Sequence, residues 1–137
     1  MDSNKTILLL EDDMVDVMTI QRAMSQLGIK NPLVVKSNGE EGQSFLATAT
    51  ERPHLILLDI NMPKMNGLEF LAMLKKNPEW RVIPVVILTT SEDHHDKWTA
   101  FHEGIAGYMV KPVDYDQFKS MMSILSQYWS YSETFTG

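Results

Sequence analysis

The chain contains no cysteine, so neither a disulfide framework nor thiolate chemistry is open to it. It is also short of positive charge. Twelve Lys and Arg stand against 18 Asp and Glu, a formal net charge of -6 at pH 7. With no basic patch to meet phosphates, nucleic acid is not expected as a direct partner. No apolar run approaches the roughly 20 residues of a membrane-spanning helix. The apolar stretch near the start, Ile7 to Leu10, is too short for a signal-peptide core. Internal repeats, low-complexity tracts and linkers are missing as well. These absences point to a cytoplasmic protein with no membrane partner.

What is present is an ordinary globular composition: 44% hydrophobic and 22% charged residues over 137 positions. That length suits one domain, 1–137, and is too short for two. The core is expected over about 6–129, with 130–137 a frayed tail.

The organising stretch is His54 to Pro63. Leu55 to Leu58 form a continuous apolar run, as expected of a strand buried on both faces. Asp59 ends it, and Pro63 and Asn66-Gly67 prevent its continuation. Asp59 therefore stands where a buried strand stops and a loop begins. In open α/β sheets ligands bind at such a point, although an Asp there can equally cap the next turn.

Four further apolar runs repeat this design: Ile7 to Leu10, Pro32 to Val35, Val85 to Leu88 and Tyr108 to Val110. Between them the spacing predicts helices. Met14 to Leu27 carries Val17, Ile20, Met24 and Leu27 on one face, and Gly28 is placed to end it. Glu40 to Ala49 follows, with Ser37 or Asn38 as N-cap. Asn66 to Lys76 puts Lys75 and Lys76 at the negative end of its dipole. Glu92 to Glu103 is closed by Gly104. Asp114 to Trp129 has the core stripe Phe118, Met121, Met122 and Leu125. Five strands alternating with five helices imply parallel strands joined by right-handed crossovers. The expected architecture is a doubly wound open sheet with helices on both faces.

In a parallel sheet all the C-terminal strand ends lie along one edge. That edge collects Glu11 and Asp12 after the first run, Asp59 after the third, Thr89 after the fourth and Lys111 after the fifth. Three neighbouring carboxylates repel, so one would protonate unless a cation intervenes. Lys111 supplies one positive charge, and a hard divalent cation suits the remaining oxygen ligands. Carboxylates by themselves do not separate Mg²⁺ from Mn²⁺ or Ca²⁺. Taken alone, Glu11-Asp12-Asp13 reads as a solvated acidic turn capping a helix. Beside Asp59 and Lys111 it reads as a metal site.

These motifs together resemble the receiver domain of two-component response regulators. The acidic pair, the Asp within L-L-D-I-N-M-P-x-M-N-G, the Thr ending the fourth strand and the Lys-Pro ending the fifth occur in that family's order and spacing, from about Thr6 to Trp129. The resemblance implies a flavodoxin-like five-stranded sheet in the order 2-1-3-4-5. It implies Asp59 as phosphoacceptor for a histidine kinase. Mg²⁺, or Mn²⁺ in its place, would be held by Glu11, Asp12, Asp59 and the backbone carbonyl of Asn61. Thr89 and Lys111 would meet phosphoryl oxygens, and Tyr108 would turn inward as Thr89 moves. Asp13 has no implied ligand role. Thr90 and Ser91 would border the approach of hydrolytic water. The change would be read on the face formed by helix four, strand five and helix five.

No output domain is expected after the last helix, so the readout is expected to be contact with another protein or self-association through that face. The segment Asn77 to Pro84 and the terminal Tyr128-Trp129 also resemble, more weakly, the stand-alone regulators that partner phytochrome-type histidine kinases. That implies a light-sensing kinase as partner and a homodimer. Trp129 reads equally as an interface residue and as a plug for the core. Trp80 reads as a lid over the core. His94, His95 and His102 lack the i, i+4 spacing of a helical zinc pair and read as surface residues.

Three rival functions remain to be weighed. A phosphoaspartate hydrolase would need a second Asp two residues after Asp59, where Asn61 stands. A flavin-binding module would need a phosphate loop after strand one, where three acids stand instead. A receiver-fold adaptor, signalling by contact without phosphorylation, would not need the complete set Glu11, Asp12, Asp59, Thr89 and Lys111. The protein is therefore expected to be a phosphoacceptor that resets itself, not a turnover enzyme.

Overall fold

A computed structural model describes residues 4–132. The elements in order are β1 (Ile7–Leu10), α1 (Met14–Gln26), β2 (Leu33–Lys36), α2 (Gly39–Thr48) and β3 (Leu55–Leu58). They continue with α3 (Gly67–Lys76), β4 (Val85–Thr89), α4 (His94–Glu103), β5 (Gly107–Val110) and α5 (Tyr115–Tyr131). The strands form one parallel sheet in the order β2-β1-β3-β4-β5. This is the expected doubly wound, flavodoxin-like arrangement.

Helix starts follow from side-chain caps. Asp13, Asn38, Asn66, Asp93 and Asp114 each accept a hydrogen bond from a backbone N–H of the helix they precede. Such caps satisfy donors that have no partner within the helix. Asn66 and Glu69 complete a reciprocal capping box. Gly104, at φ 88°, ends α4 in the left-handed region that a side chain would resist.

Alternation along the strands divides the core. Leu8, Leu10, Ile56 and Leu58 face the side packed by α2, α3 and α4, where Phe70, Leu71 and Leu74 are fully buried. Ile7, Leu9, Leu55 and Leu57 face the side packed by α1 and α5. Each fully buried side chain contributes about 1.5–3 kcal/mol of transfer free energy. Burial is complete along β1, β3 and β4 but partial along β2 and β5, the edge strands. Among the described residues no helix is long and apolar enough to cross a membrane.

Several boundaries differ from expectation. The second strand is Leu33–Lys36, one position later than the apolar run, because Lys36 continues the pairing opposite Leu10. Helix α4 begins at His94 because Asp93 is its cap, leaving Glu92 in the loop. Helix α5 continues past Trp129 to Tyr131, so the first part of the expected frayed tail is helical. Residues 133–137 of that tail lie outside the described residues. Trp129 is buried against Met122 and its neighbours on the α1 and α5 side, which decides for the core plug. Trp80 packs at the margin of the opposite cluster, as a lid would.

Candidate functional site at the ends of the strands

The parallel register forces the strand ends together. Leu10 of β1 pairs with Leu58 of β3, so Glu11 and Asp59 leave the sheet side by side, and the Asp59 N–H donates to the carbonyl of Leu10 at 3.0 Å. Oxygens of Glu11, Asp12 and Asp59 all lie within 4.8 Å of one another. Asp12 is exposed, while Glu11 and Asp59 are buried. Asp13 turns away to cap α1, accepting from the N–H groups of Val15 and Asp16. The acidic run thus contains both of its readings: Asp13 is the cap, and Glu11 and Asp12 belong to the cluster.

Asp59 does not cap the following turn. Its Oδ1 is buried and has no hydrogen-bond partner among the described residues. A buried carboxylate oxygen without a donor is costly, and a cation is the natural partner for it. Three oxygen ligands from carboxylates form the hard donor set that Mg²⁺ or Mn²⁺ takes. The residues therefore fit a divalent cation held by Glu11, Asp12 and Asp59. Asn61 stands two residues on, exposed, in the loop that leads to α3.

Close packing holds that loop. A Cβ at Gly67 would lie 2.2 Å from the carbonyl oxygen of Asp59, so no side chain fits there. The Gly67 N–H donates to the Ile60 carbonyl at 2.9 Å, and the Gly39 N–H donates to the Met65 carbonyl at 2.8 Å. Lys64 adopts φ 59° at the tip.

Lys111 reaches the cluster from the end of β5. Its Nζ donates to Glu11 Oε1, donates to Asp16 Oδ2 at 3.0 Å, and stands 3.9 Å from Asp59 Oδ2. Burial pushes the Glu11 carboxyl up to about 7, against the Lys111 hydrogen bond that lowers it. For Lys111, burial favours the neutral amine. The hydrogen bond to Glu11 and the charges of Asp59 and Glu11 outweigh it and raise the ammonium above its ordinary value. Sequence reasoning missed Asp16. The available signal was its place in the first turn of α1, three residues after the Asp13 cap, which keeps it close to the end of β1.

Thr89 is fully buried at the end of β4. Its Oγ1 accepts from the Ser91 N–H at 3.3 Å, and the Ser91 carbonyl accepts from the Tyr108 hydroxyl at 2.8 Å. Ser91 Oγ in turn donates to Asp96 Oδ2 at 2.8 Å. Ser91 therefore joins Thr89 to Tyr108 through its own backbone, a link the sequence did not disclose. Burial raises the Tyr108 phenol above its usual value, against the Ser91 hydrogen bond that lowers it. Phe101 stacks on the Tyr108 ring at 6.2 Å, and Trp98 stacks on His102 at 4.8 Å. Trp98 and Phe101 on α4, and Ile124 and Tyr128 on α5, are exposed.

The chain is similar in sequence and fold to known proteins. Residues 7–123 match the model of the response regulator receiver domain. The chain is 34% identical over 130 residues to response regulator Rcp1 of Synechocystis, covering 91% of this chain and 88% of that one. Among solved structures, the phosphorylated cyanobacterial phytochrome response regulator RcpA superposes with a TM-score of 0.90 at 30% identity, over 98% of this chain and 99% of that one. The Mn²⁺-bound form of Rcp1 superposes with a TM-score of 0.87 at 32% identity, over 97% and 99% of the two chains.

Proposed function

The chain belongs to the response regulator receiver family, whose members are signalling proteins, and on that premise we propose that it accepts a phosphoryl group on Asp59 from a histidine kinase in a Mg²⁺-dependent reaction. The observation that carries this reading is the Asp59 carboxylate, buried, without a donor on Oδ1, and clustered with Glu11 and Asp12. In the transfer an Asp59 oxygen forms a bond to phosphorus while the bond from phosphorus to the donor imidazole nitrogen breaks. The imidazole leaves with the bonding pair and takes up a proton. A carboxylate is a weak nucleophile, so position and charge must do most of the catalysis. A divalent cation held by Glu11, Asp12, Asp59 and the Asn61 carbonyl would offset charge on the transferring group. Lys111 and Thr89 supply donors for its oxygens.

The phosphoryl group adds about -1.5 to -2 charge. Thr89 then moves toward it, and Tyr108 follows through Ser91, changing the face of α4, β5 and α5. Self-association through that face is part of this reading, supported by the exposed Trp98, Phe101, Ile124 and Tyr128. The likeness to RcpA supports a phytochrome-type kinase as the donor. Intact mass after incubation with a small phosphoryl donor tests the core of the proposal. One Mg²⁺-dependent adduct on the wild type and none on Asp59→Asn is expected. An adduct retained in the variant would overturn the assignment of Asp59.

A further inference from the structure

Lys111 has more carboxylate partners than a phosphoryl ligand requires. Its ammonium is shared between Glu11 Oε1 and Asp16 Oδ2, while Asp59 Oδ2 stands farther off at 3.9 Å. Its side chain is 8% exposed, whereas that of Asp16 is 37% exposed. Glu11 is thus claimed twice. It is the lysine's most buried partner, and it also belongs to the oxygen cluster with Asp12 and Asp59. If Glu11 turned to a cation, a lysine paired with Glu11 alone would become an unpaired buried ammonium, which is strongly unfavourable.

Asp16 removes that conflict. It lies in the first turn of α1, is itself anchored by its backbone N–H on the Asp13 cap, and reaches Lys111 from the solvent side. We propose that Asp16 is a positioning residue for the receiver site: it holds the Lys111 ammonium when Glu11 is given over to the divalent cation. The lysine then remains charged, paired and near Asp59 without competing for the metal. This inference rests on the receiver reading of Glu11, Asp12 and Asp59. An acid in the first turn also favours the helix dipole, so helix stability alone does not test it.

The test is a double-mutant cycle read as Mg²⁺ affinity by titration calorimetry on the unphosphorylated protein, with thermal unfolding of each metal-free variant as a control. Asp16→Asn is expected to weaken Mg²⁺ binding by about three- to fivefold, the upper end for a partly exposed charge pair. In the Lys111→Met background the same substitution should change the affinity by less than about twofold. An equal loss in both backgrounds would mean that Asp16 merely adds negative charge near the cation, and would overturn the proposal. So would an unchanged affinity in Asp16→Asn. Should Lys111→Met fail to fold, the same comparison is made in Lys111→Gln, which keeps a polar side chain in place without the charge. A loss that persists there overturns the proposal, and a loss that disappears supports it. Failure of the wild type itself to bind Mg²⁺ or to take up a phosphoryl group would instead refute the receiver reading.

Discussion

The centre of the sheet and its β5 edge are built to different standards. At the centre, β1, β3 and β4 are wholly buried, and Glu11, Asp59 and Thr89 stand on their ends with almost no exposure. At the edge, β5 is half-buried, Tyr108 is held by one hydroxyl hydrogen bond, and α4 and α5 expose aromatic and aliphatic side chains. Chemistry that depends on positions accurate to tenths of an ångström belongs on the part that cannot shift. A surface that must exist in two arrangements belongs on the part held by few contacts. Between them run two slender connections: Lys111, and the path from Thr89 through Ser91 to Tyr108.

Substitutions should expose this gradient. Leu58→Ala, at the fully buried end of β3, is expected to cost about 2–5 kcal/mol in urea unfolding, whereas Met109→Ala on β5 should cost about 1 kcal/mol or less. Similar losses at both sites would erase the distinction. Gly67→Ala should cost about 1–3 kcal/mol through overpacking and should also weaken Mg²⁺ binding, because its Cβ would press on the Asp59 carbonyl. A Gly67→Ala protein with wild-type affinity by calorimetry would show that the loop need not be held so closely.

Tyr108→Phe removes the hydroxyl bond to Ser91 and is expected to cost about 1 kcal/mol. Amide exchange should quicken in the loop between β4 and α4, while Mg²⁺ affinity stays near that of the wild type. The smallest effect on stability is expected from Trp98→Ala, within about 0.5 kcal/mol for an exposed side chain. Self-association of the phosphorylated protein, followed by sedimentation, should nevertheless weaken. Unaltered association would move the contact away from α4.

Much of the central sheet was legible in the sequence, and the reason is physical. A parallel strand buried on both faces must be continuously apolar, so Ile7–Leu10, Leu55–Leu58 and Val85–Leu88 announce themselves, and the polar residue that ends each run announces the site. Helix starts were legible to within a residue or two because Asp and Asn caps are local chemistry. The edges were harder. Lys36 extends β2 although it is charged, since an edge strand need not be apolar throughout. Trp129 was undecided between core and interface because a helix end carries no period long enough to choose.

By itself the sequence determined the order of elements, the residues at the strand ends and hence the membership of the acidic cluster, since these depend on short-range pattern and on the handedness of crossovers. Tertiary structure alone decided how that membership is divided. It made Asp13 a cap and Glu11 a buried acid, gave Lys111 a second partner in Asp16, and joined Thr89 to Tyr108 through Ser91. Hydrogen bonds and ion pairs form between atoms within about 3–4 Å, and such neighbours, here up to 100 residues apart in sequence, exist only once the sheet has closed.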